Sequence, residues 1–359
     1  MTAEQQGTPC MVMRGGSSKG LYFLESDLPT DADERDQLLL AFMGTPDARQ
    51  IDGMGGAHPL TSKVAVVTTC DHGVGDVDYL FLQLGVDRAI VTDRQNCGNL
   101  LAGIGPFAVE RGLVATPAGM AEVRVHMLNT NGVAVATFPC EDGSPRYAGD
   151  TAISGVPGTA APIRLDFEGI AGGSSGSLLP TGNVVDDING VTVTLIDNGM
   201  PVVVMDAADL GVSGYESCAE LEANERLRSR LEAIRLAAGP MMNLGDVSAT
   251  TVPKLTMVAA PKDGGNLCTR TFIPHRCHQA IGVLGAVSVA TAALLPGSRA
   301  AALLDHEVGG DVFTLEHPSG TFDAVVDVAF EAGRPVVRRA GIIRTARKLM
   351  DGHVFPRSY

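Results

Sequence analysis

Asn96-Cys97-Gly98-Asn99-Leu100-Leu101-Ala102-Gly103-Ile104-Gly105-Pro106-Phe107-Ala108-Val109 reads as a short polar turn that opens a helix apolar on nearly every side. A helix that is hydrophobic all round belongs inside a core. A second segment of this kind, Ala280 to Leu295, follows His275-Arg276-Cys277-His278. Two buried helices, each entered from a polar turn, imply two similar bodies of structure, one around each helix.

Upstream of each helix the same order of elements recurs, the mark of an internal repeat. In the first half, the apolar stretch Leu21-Tyr22-Phe23-Leu24 precedes a helix pattern from Asp33 to Met43, capped by Thr30 or Asp31. The loop Gly53-Met54-Gly55-Gly56 follows, then Ser62-Lys63 opens the strand Val64-Ala65-Val66-Val67. A further strand, Tyr79 to Leu84, leads to the first apolar helix. In the second half, strand Val202 to Met205 precedes a helix from about Glu216 to Ala238 and a loop from Gly239 to Asp246. Pro253-Lys254 then opens the strand Leu255 to Val258, and Cys268 to Phe272 leads to the second apolar helix. The expected fold is α+β: two pseudo-symmetric domains, 1–188 and 189–359, each a curved, mostly antiparallel sheet around a central buried helix. The last strand is free to return to the first domain. Both helix N-termini would point at one interdomain cleft, where free N–H groups and helix dipoles favour an anion.

Composition sets the outer limits. A chain of 359 residues, 45% apolar and 19% charged, is long enough for two ordinary globular cores. A formal net charge of −14 argues against a nucleic-acid partner, which needs a basic face. It also requires any anion site to be local, made of backbone N–H groups and a few placed side chains. The start of the chain has neither the basic nor the apolar region of a signal peptide. The longest apolar run is too short and too small-residued for a membrane span. Seven cysteines without a C-x-x-C pair then point to reduced thiols in the cytoplasm.

Two residues carry the sharpest chemistry. Cys97 stands at a helix N-terminus, where the dipole and free N–H groups stabilise a thiolate. A buried structural cysteine is the equal alternative on local sequence. Lys63 sits between a glycine-rich loop and a buried strand, where desolvation favours the neutral amine of a general base. An exposed strand-end lysine is the plainer reading. The polar run Arg14-Gly15-Gly16-Ser17-Ser18-Lys19-Gly20 could cradle a carboxylate with hydroxyls and backbone N–H groups. It lacks phosphate-loop spacing. Gly103-x-Gly105-x-x-Ala108 lies inside a helix, not between strand and helix as a dinucleotide fingerprint requires. Eight scattered histidines, of which only His275 and His278 are close, form no zincin motif, so no metal and no cofactor are expected. A lysine and a cysteine, each beside such a loop, suit proton transfer better than acyl transfer.

Met13-Arg14-Gly15-Gly16-Ser17-Ser18-Lys19-Gly20, Gln50-Ile51-Asp52-Gly53-Met54-Gly55-Gly56, Thr61-Ser62-Lys63-Val64 and Asn96-Cys97-Gly98-Asn99 resemble the PrpF-type isomerases, relatives of diaminopimelate epimerase. The resemblance spans essentially the whole chain. It implies the diaminopimelate epimerase-like fold and a cofactor-independent isomerase or tautomerase that moves a proton along a small tricarboxylate. Asp197-Asn198-Gly199-Met200-Pro201, Met242-Asn243-Leu244-Gly245-Asp246 and Phe272-Ile273-Pro274-His275-Arg276-Cys277-His278 resemble the branch that serves bacterial aromatic degradation and takes a keto-tricarboxylate. Aconitate- and methylaconitate-type isomerases are the alternative. Amino-acid epimerases of this fold use two cysteines, and the second falls near Gly282 here, which disfavours a two-thiol racemase. By resemblance the catalytic pair is Lys63 and Cys97, with base and acid roles open. Ser17, Ser18, Ser62, Asn96, Gly98, Asn99, Met200 and Arg276 are the expected substrate contacts. A homodimer is compatible with all of this, and no membrane partner is expected.

Overall fold

The computed structural model describes residues 6–94, 96–115, 119–304 and 308–357. The chain divides into two compact units, Met1–Leu165 with Ile343–Tyr359, and Asp166–Ile342. The division read from sequence, at 188/189, falls inside a hairpin of the second unit. There β10 (Asp186–Ile188) pairs with β11 (Val191–Asp197), Ile188 opposite Val191.

The first unit holds β1 (Thr8–Gly15), β2 (Ser18–Leu24), α1 (Ala32–Met43), β3 (Lys63–Thr69), β4 (Val77–Leu84), β5 (Val91–Thr92) and α2 (Gly98–Glu110). Then come β6 (Gly119–Met127), β7 (Gly132–Glu141), β8 (Ser144–Pro145) and the start of β9 (Pro162–Glu168). β1 runs antiparallel to β2, β2 parallel to β3, β3 antiparallel to β4, β4 parallel to β6, and β6 antiparallel to β7. The free side of β1 takes the end of β17 (Arg334–Val354), with Thr8 opposite Val354.

Alternation along the strands sorts their two faces. Val12, Leu21, Phe23, Val64, Val66, Leu82 and Leu84 join Leu39, Leu40, Phe42 and Met43 of α1 in one core. Asp31 caps α1 by accepting from the N–H groups of Asp33 and Glu34. The opposite face holds α2, buried from Leu100 to Val109. α2 packs against β1, β2, β3, β4, β6, β7 and β8. One helix can touch strands from both ends of a sheet only if the sheet curls around it. Tyr22 reaches across from β2 and donates to the Leu100 carbonyl at 2.7 Å.

The second unit contains β10, β11, β12 (Pro201–Asp206), α3 (Cys218–Ala223), α4 (Glu225–Met241), β13 (Lys254–Ala259), β14 (Leu267–Phe272), α5 (Val283–Ala293), β15 (Val312–His317), β16 (Gly320–Glu331) and the start of β17. Its pairings run antiparallel, parallel, antiparallel, parallel, antiparallel from β11 to β16, the order found from β1 to β7. α5 packs on β11, β12, β15 and β16. On the other face α3 and α4 cover β10 to β14 with a core that includes Leu221, Leu231, Ile234, Val203, Met205, Leu255 and Met257.

Two helices differ from their sequence readings. The single helix expected over 216–238 is broken at Asn224, whose side chain turns to accept from Leu227 N–H and so caps α4. The apolar run from Ala280 enters α5 only at Val283, because Gly282 is extended and serves as its N-cap. Among the described residues no helix is long and apolar enough to cross a membrane.

Candidate active site

Lys63 is the first residue of β3. Because Val64 and Val66 point into the α1 core, alternation sends Lys63 to the α2 face. The residue is only 7% exposed. Its Nζ donates to Gln83 Oε1 at 2.8 Å and stands 4.8 Å from the centre of the Phe81 ring. The register that sets Lys63 opposite Gln83 makes this pair. Gln83 is itself anchored, its Nε2 donating to the carbonyls of Ser62 and Pro59 at 3.0 and 3.1 Å. Among the described residues Lys63 forms no salt bridge, so the amine is held by a neutral amide and a ring face and is not locked to a carboxylate.

Cys97 is the N-cap of α2, in an extended conformation with φ −130° and ψ 96°. Its carbonyl accepts the first helical bond, from Leu101 N–H at 3.0 Å. Its own N–H is taken by Asn96 Oδ1 at 2.8 Å, and the Asn96 amide donates to the Met127 sulfur. Among the described residues no side chain caps the helix. The N–H groups of the first turn, from Gly98 onward, therefore remain available to an anion. Cys97 is 8% exposed. Two buried phenols lie within electrostatic reach: burial, reinforced by Cys97, pushes Tyr22 and Tyr79 well above the ordinary tyrosine range. Both therefore stay neutral.

The hairpin between β1 and β2 presses on this turn. Asn99 Nδ2 donates to Ser17 Oγ at 3.2 Å and Ser18 Oγ at 3.4 Å. Gly16 holds φ +52°, and a Cβ there would stand 2.2 Å from Asn99 Oδ1, so any other residue is strained and displaces the Asn99 side chain. Arg14 fixes the other side of the hairpin through Gly16 O, Thr345 O and Thr345 Oγ1 at 2.8, 3.0 and 3.0 Å. Gly20 links the hairpin to the lysine strand: a Cβ there would lie 2.7 Å from the Lys63 carbonyl oxygen and 2.9 Å from Leu100 Cδ2. Ser17, Ser18, Asn96, Cys97, Gly98 and Asn99 thus gather around the opening of α2, and Lys63 stands on the neighbouring strand with its backbone beside Gly20 and its amine on Gln83 and Phe81.

The remaining expected contacts are placed otherwise. Ser62 is fully buried, with its hydroxyl 2.8 Å from Gln50 Oε1 and 2.9 Å from His58 O. It serves the loop before β3. Met200 and Arg276 belong to the second unit. The Met200 carbonyl accepts from Ser288 Oγ of α5 at 2.7 Å. The Arg276 side chain is 83% exposed and paired with Glu222 at 2.9 Å.

Gln50 and Gln83 are the supports that sequence reading passed over. Gln50 is buried at φ +47°, accepts from Ala57 N–H and the Ser62 hydroxyl, and donates to Thr45 Oγ1. Its place at the head of the glycine-rich loop was the available signal. Gln83 could be found only with the β3–β4 register in hand.

An amine and a thiol on one face of a sheet, with helix N–H groups beside the thiol, are the groups needed to move a proton on carbon and hold the anion formed meanwhile. The sequence profile described as PrpF protein matches residues 5–357. The chain is 60% identical, over 97% of both chains, to (4E)-oxalomesaconate Delta-isomerase of Novosphingobium sp. strain KA1. It is 56% identical to 4-oxalomesaconate tautomerase of Pseudomonas putida, over 98% of this chain and 96% of that one. The crystal structure of a methylitaconate-delta-isomerase superposes with a TM-score of 0.90 at 33% identity, covering 99% of this chain and 96% of the other. A profile match along almost the whole length, and relatives this similar end to end, make the chain a member of the PrpF family.

Proposed function

We propose that this chain is a cofactor-independent isomerase that moves a proton along the carbon skeleton of 4-oxalomesaconate, in the degradation of gallate- and protocatechuate-type aromatic compounds. The observation that carries the reading is the buried Lys63 amine, without a salt bridge among the described residues, on the same sheet face as the helix that Cys97 opens. Similarity to two relatives named for that substrate supports it. The two units, built on one order of strand pairings, are read as pseudo-symmetric copies of an epimerase-like domain. Seven free thiols suit a reducing cytoplasm.

The substrate carries three carboxylates and a ketone, and its C–H next to the carbonyl, or vinylogous to it, is acidic. Lys63 takes that proton as the general base. The electron pair of the C–H bond spreads into a dienolate, stabilised by the N–H groups at the start of α2 and by the Ser17–Ser18 turn. Cys97 returns a proton at a different carbon or at oxygen; Lys63 then gives its proton to solvent and the Cys97 thiolate takes one back, so atoms and charge balance without a redox step. Reprotonation at carbon gives the allylic isomer, and at oxygen the enol. The Novosphingobium relative, named as a Delta-isomerase, favours the allylic outcome.

The test follows 4-oxalomesaconate with the enzyme in D2O by proton NMR and ultraviolet absorption. Deuterium entering at carbon, with a new allylic or enol species, supports the reading. Lys63→Ala should cut turnover by about 10²–10⁴-fold, the usual worth of a positioned base, with Cys97→Ser in the same range. Wild-type turnover in Lys63→Ala sinks the mechanism. Exchange with trans-aconitate or methylaconitate but not with 4-oxalomesaconate moves the enzyme to the aconitate-type branch.

A further inference from the structure

At the far end of β3 from Lys63, seven residues and about 23 Å away at the rise of a strand, Cys70, His72 and Asp78 converge. Their three donor atoms, Cys70 Sγ, one His72 ring nitrogen and one Asp78 oxygen, all lie within 4.8 Å of one another. Cys70 Sγ is 3.6 Å from His72 Nε2 and 3.5 Å from Nδ1, and His72 Nε2 is 3.2 Å from Asp78 Oδ2. Zinc bonds of about 2.3 Å to sulfur and about 2.0 Å to nitrogen or oxygen give tetrahedral edges of about 3.3–3.5 Å. The two edges through Nε2, 3.6 and 3.2 Å, lie within about 0.1 Å of that range, and because Sγ is equally near Nδ1, at 3.5 Å, the exposed His72 ring must turn for Nε2 and Sγ to share one ion.

The surroundings are built to hold these donors. The Gly75 N–H donates to Cys70 Sγ at 3.3 Å, a contact that suits a thiolate. Asp76 ties the loop to β6 by a backbone bond to Arg124 O at 2.8 Å and by accepting from Arg124 N–H through its side chain at 2.8 Å. Asp78 divides its oxygens: Oδ2 faces His72, while Oδ1 is taken by His126 Nδ1 at 2.8 Å. His126 stands beside Asp78 in the parallel β4–β6 register and is fixed by Asn131 Oδ1 at 2.9 Å from its other nitrogen. A carboxylate oriented from behind by a buried histidine is the outer support a metal ligand needs.

We propose that Cys70, His72 and Asp78 bind a divalent cation of the zinc class through Sγ, Nε2 and Oδ2, with water as the fourth ligand. Soft sulfur with imidazole and one carboxylate selects zinc over magnesium or calcium, which ask for oxygen alone. Binding displaces the thiol proton and pins the β3–β4 loop to the start of β4. The site is remote from Lys63 and stands independently of the proposed isomerase reaction.

Cobalt(II) is the probe, titrated into the reduced, chelator-treated full chain under a non-thiol reductant. Tetrahedral cobalt on a thiolate shows sulfur-to-metal charge transfer in the near ultraviolet and intense visible bands. The expected result is a signal that saturates at a single equivalent, is bleached by zinc, and vanishes in Cys70→Ser. His72→Ala, at a side chain 48% exposed and so compatible with folding, should abolish saturation. His126→Gln should weaken binding about 10–100-fold. Thermal unfolding of each variant separates lost binding from lost fold. No charge-transfer band in the wild type, or an equal band in Cys70→Ser, overturns the proposal, the second by placing the metal on another thiol.

Discussion

Replacing Gly16 by alanine tests whether the β1–β2 hairpin positions the first turn of α2. Two costs follow from the geometry. The residue holds φ +52°, and an L side chain there costs about 1–2 kcal/mol. The new Cβ would also fall 2.2 Å from Asn99 Oδ1 and 3.1 Å from Asn99 Cα, where ordinary contacts begin near 3.4 Å. The Asn99 side chain must leave, giving up its bonds to Ser17 and Ser18, worth about 1 kcal/mol net together. The sum, about 2–3 kcal/mol, lowers the melting temperature of a unit this size by about 4–12 °C. Turnover should fall at least about tenfold, since a misplacement near 1 Å beside the chemistry can cost up to about a hundredfold. Gly143→Ala is the control: φ is +75° with nothing within 4 Å of its Cβ, so only the backbone cost applies and activity stays. Melting curves and steady-state rates on 4-oxalomesaconate for both variants decide. If Gly16→Ala melts and turns over as Gly143→Ala does, the hairpin does not position α2.

The two buried phenols beside Cys97 should respond with opposite sign. Tyr79 OH is buried with no hydrogen-bond partner among the described residues, so Tyr79→Phe should stabilise by about 1 kcal/mol. Tyr22→Phe loses the 2.7 Å bond to Leu100 O and should cost about 1–2 kcal/mol, both read by urea midpoints. In the second unit Arg235 is fully buried, bound by Glu232 at 2.7 Å through two nitrogens and by the carbonyls of Val247, Thr250 and Val252. Glu232→Gln should cost about 1.5–3 kcal/mol, the worth of a hydrogen bond to a charged group, because the Glu232 side chain is 29% exposed and the carbonyls remain. The Arg235 hydrogen bonds hold the Glu232 carboxyl below its ordinary range. The folded value thus lies below the unfolded one, about 4.3. The contribution is complete above that unfolded value and disappears as pH falls through the folded one. Wild type and Glu232→Gln should therefore converge in urea midpoint as pH drops below about 4; a constant gap would refute the assignment.

Local pattern carried the reading of this chain wherever burial is all-or-none. α2 was legible because Leu100 to Val109 are buried without exception, and α1 because Asp31 is an ordinary cap. The break at Asn224 was not legible, since apolar periodicity continues through Leu221, Leu227 and Leu231 on both sides. Partners made by long-range register were hidden for the same reason. Gln83 reaches Lys63 through antiparallel pairing 20 residues away, and Asp78 meets His126 through parallel pairing 48 residues away. The ion pair of Arg276 with Glu222, 54 residues upstream, was likewise invisible in its Pro274-His275-Arg276 setting.

The return of β17 to the first unit has a consequence for synthesis. β1 emerges first from the ribosome, yet its outer partner, ending at Val354 opposite Thr8, emerges last. All of Asp166–Ile342 must be made in between, 342 − 165 = 177 residues, about 10–35 s at usual translation rates. Through that interval the nascent chain carries an open sheet edge, a template for pairing with neighbouring chains on the same message. The order of translation thus runs against the order of closure, and the N-terminal sheet keeps the outer side of β1 unpaired until the end of β17 is made.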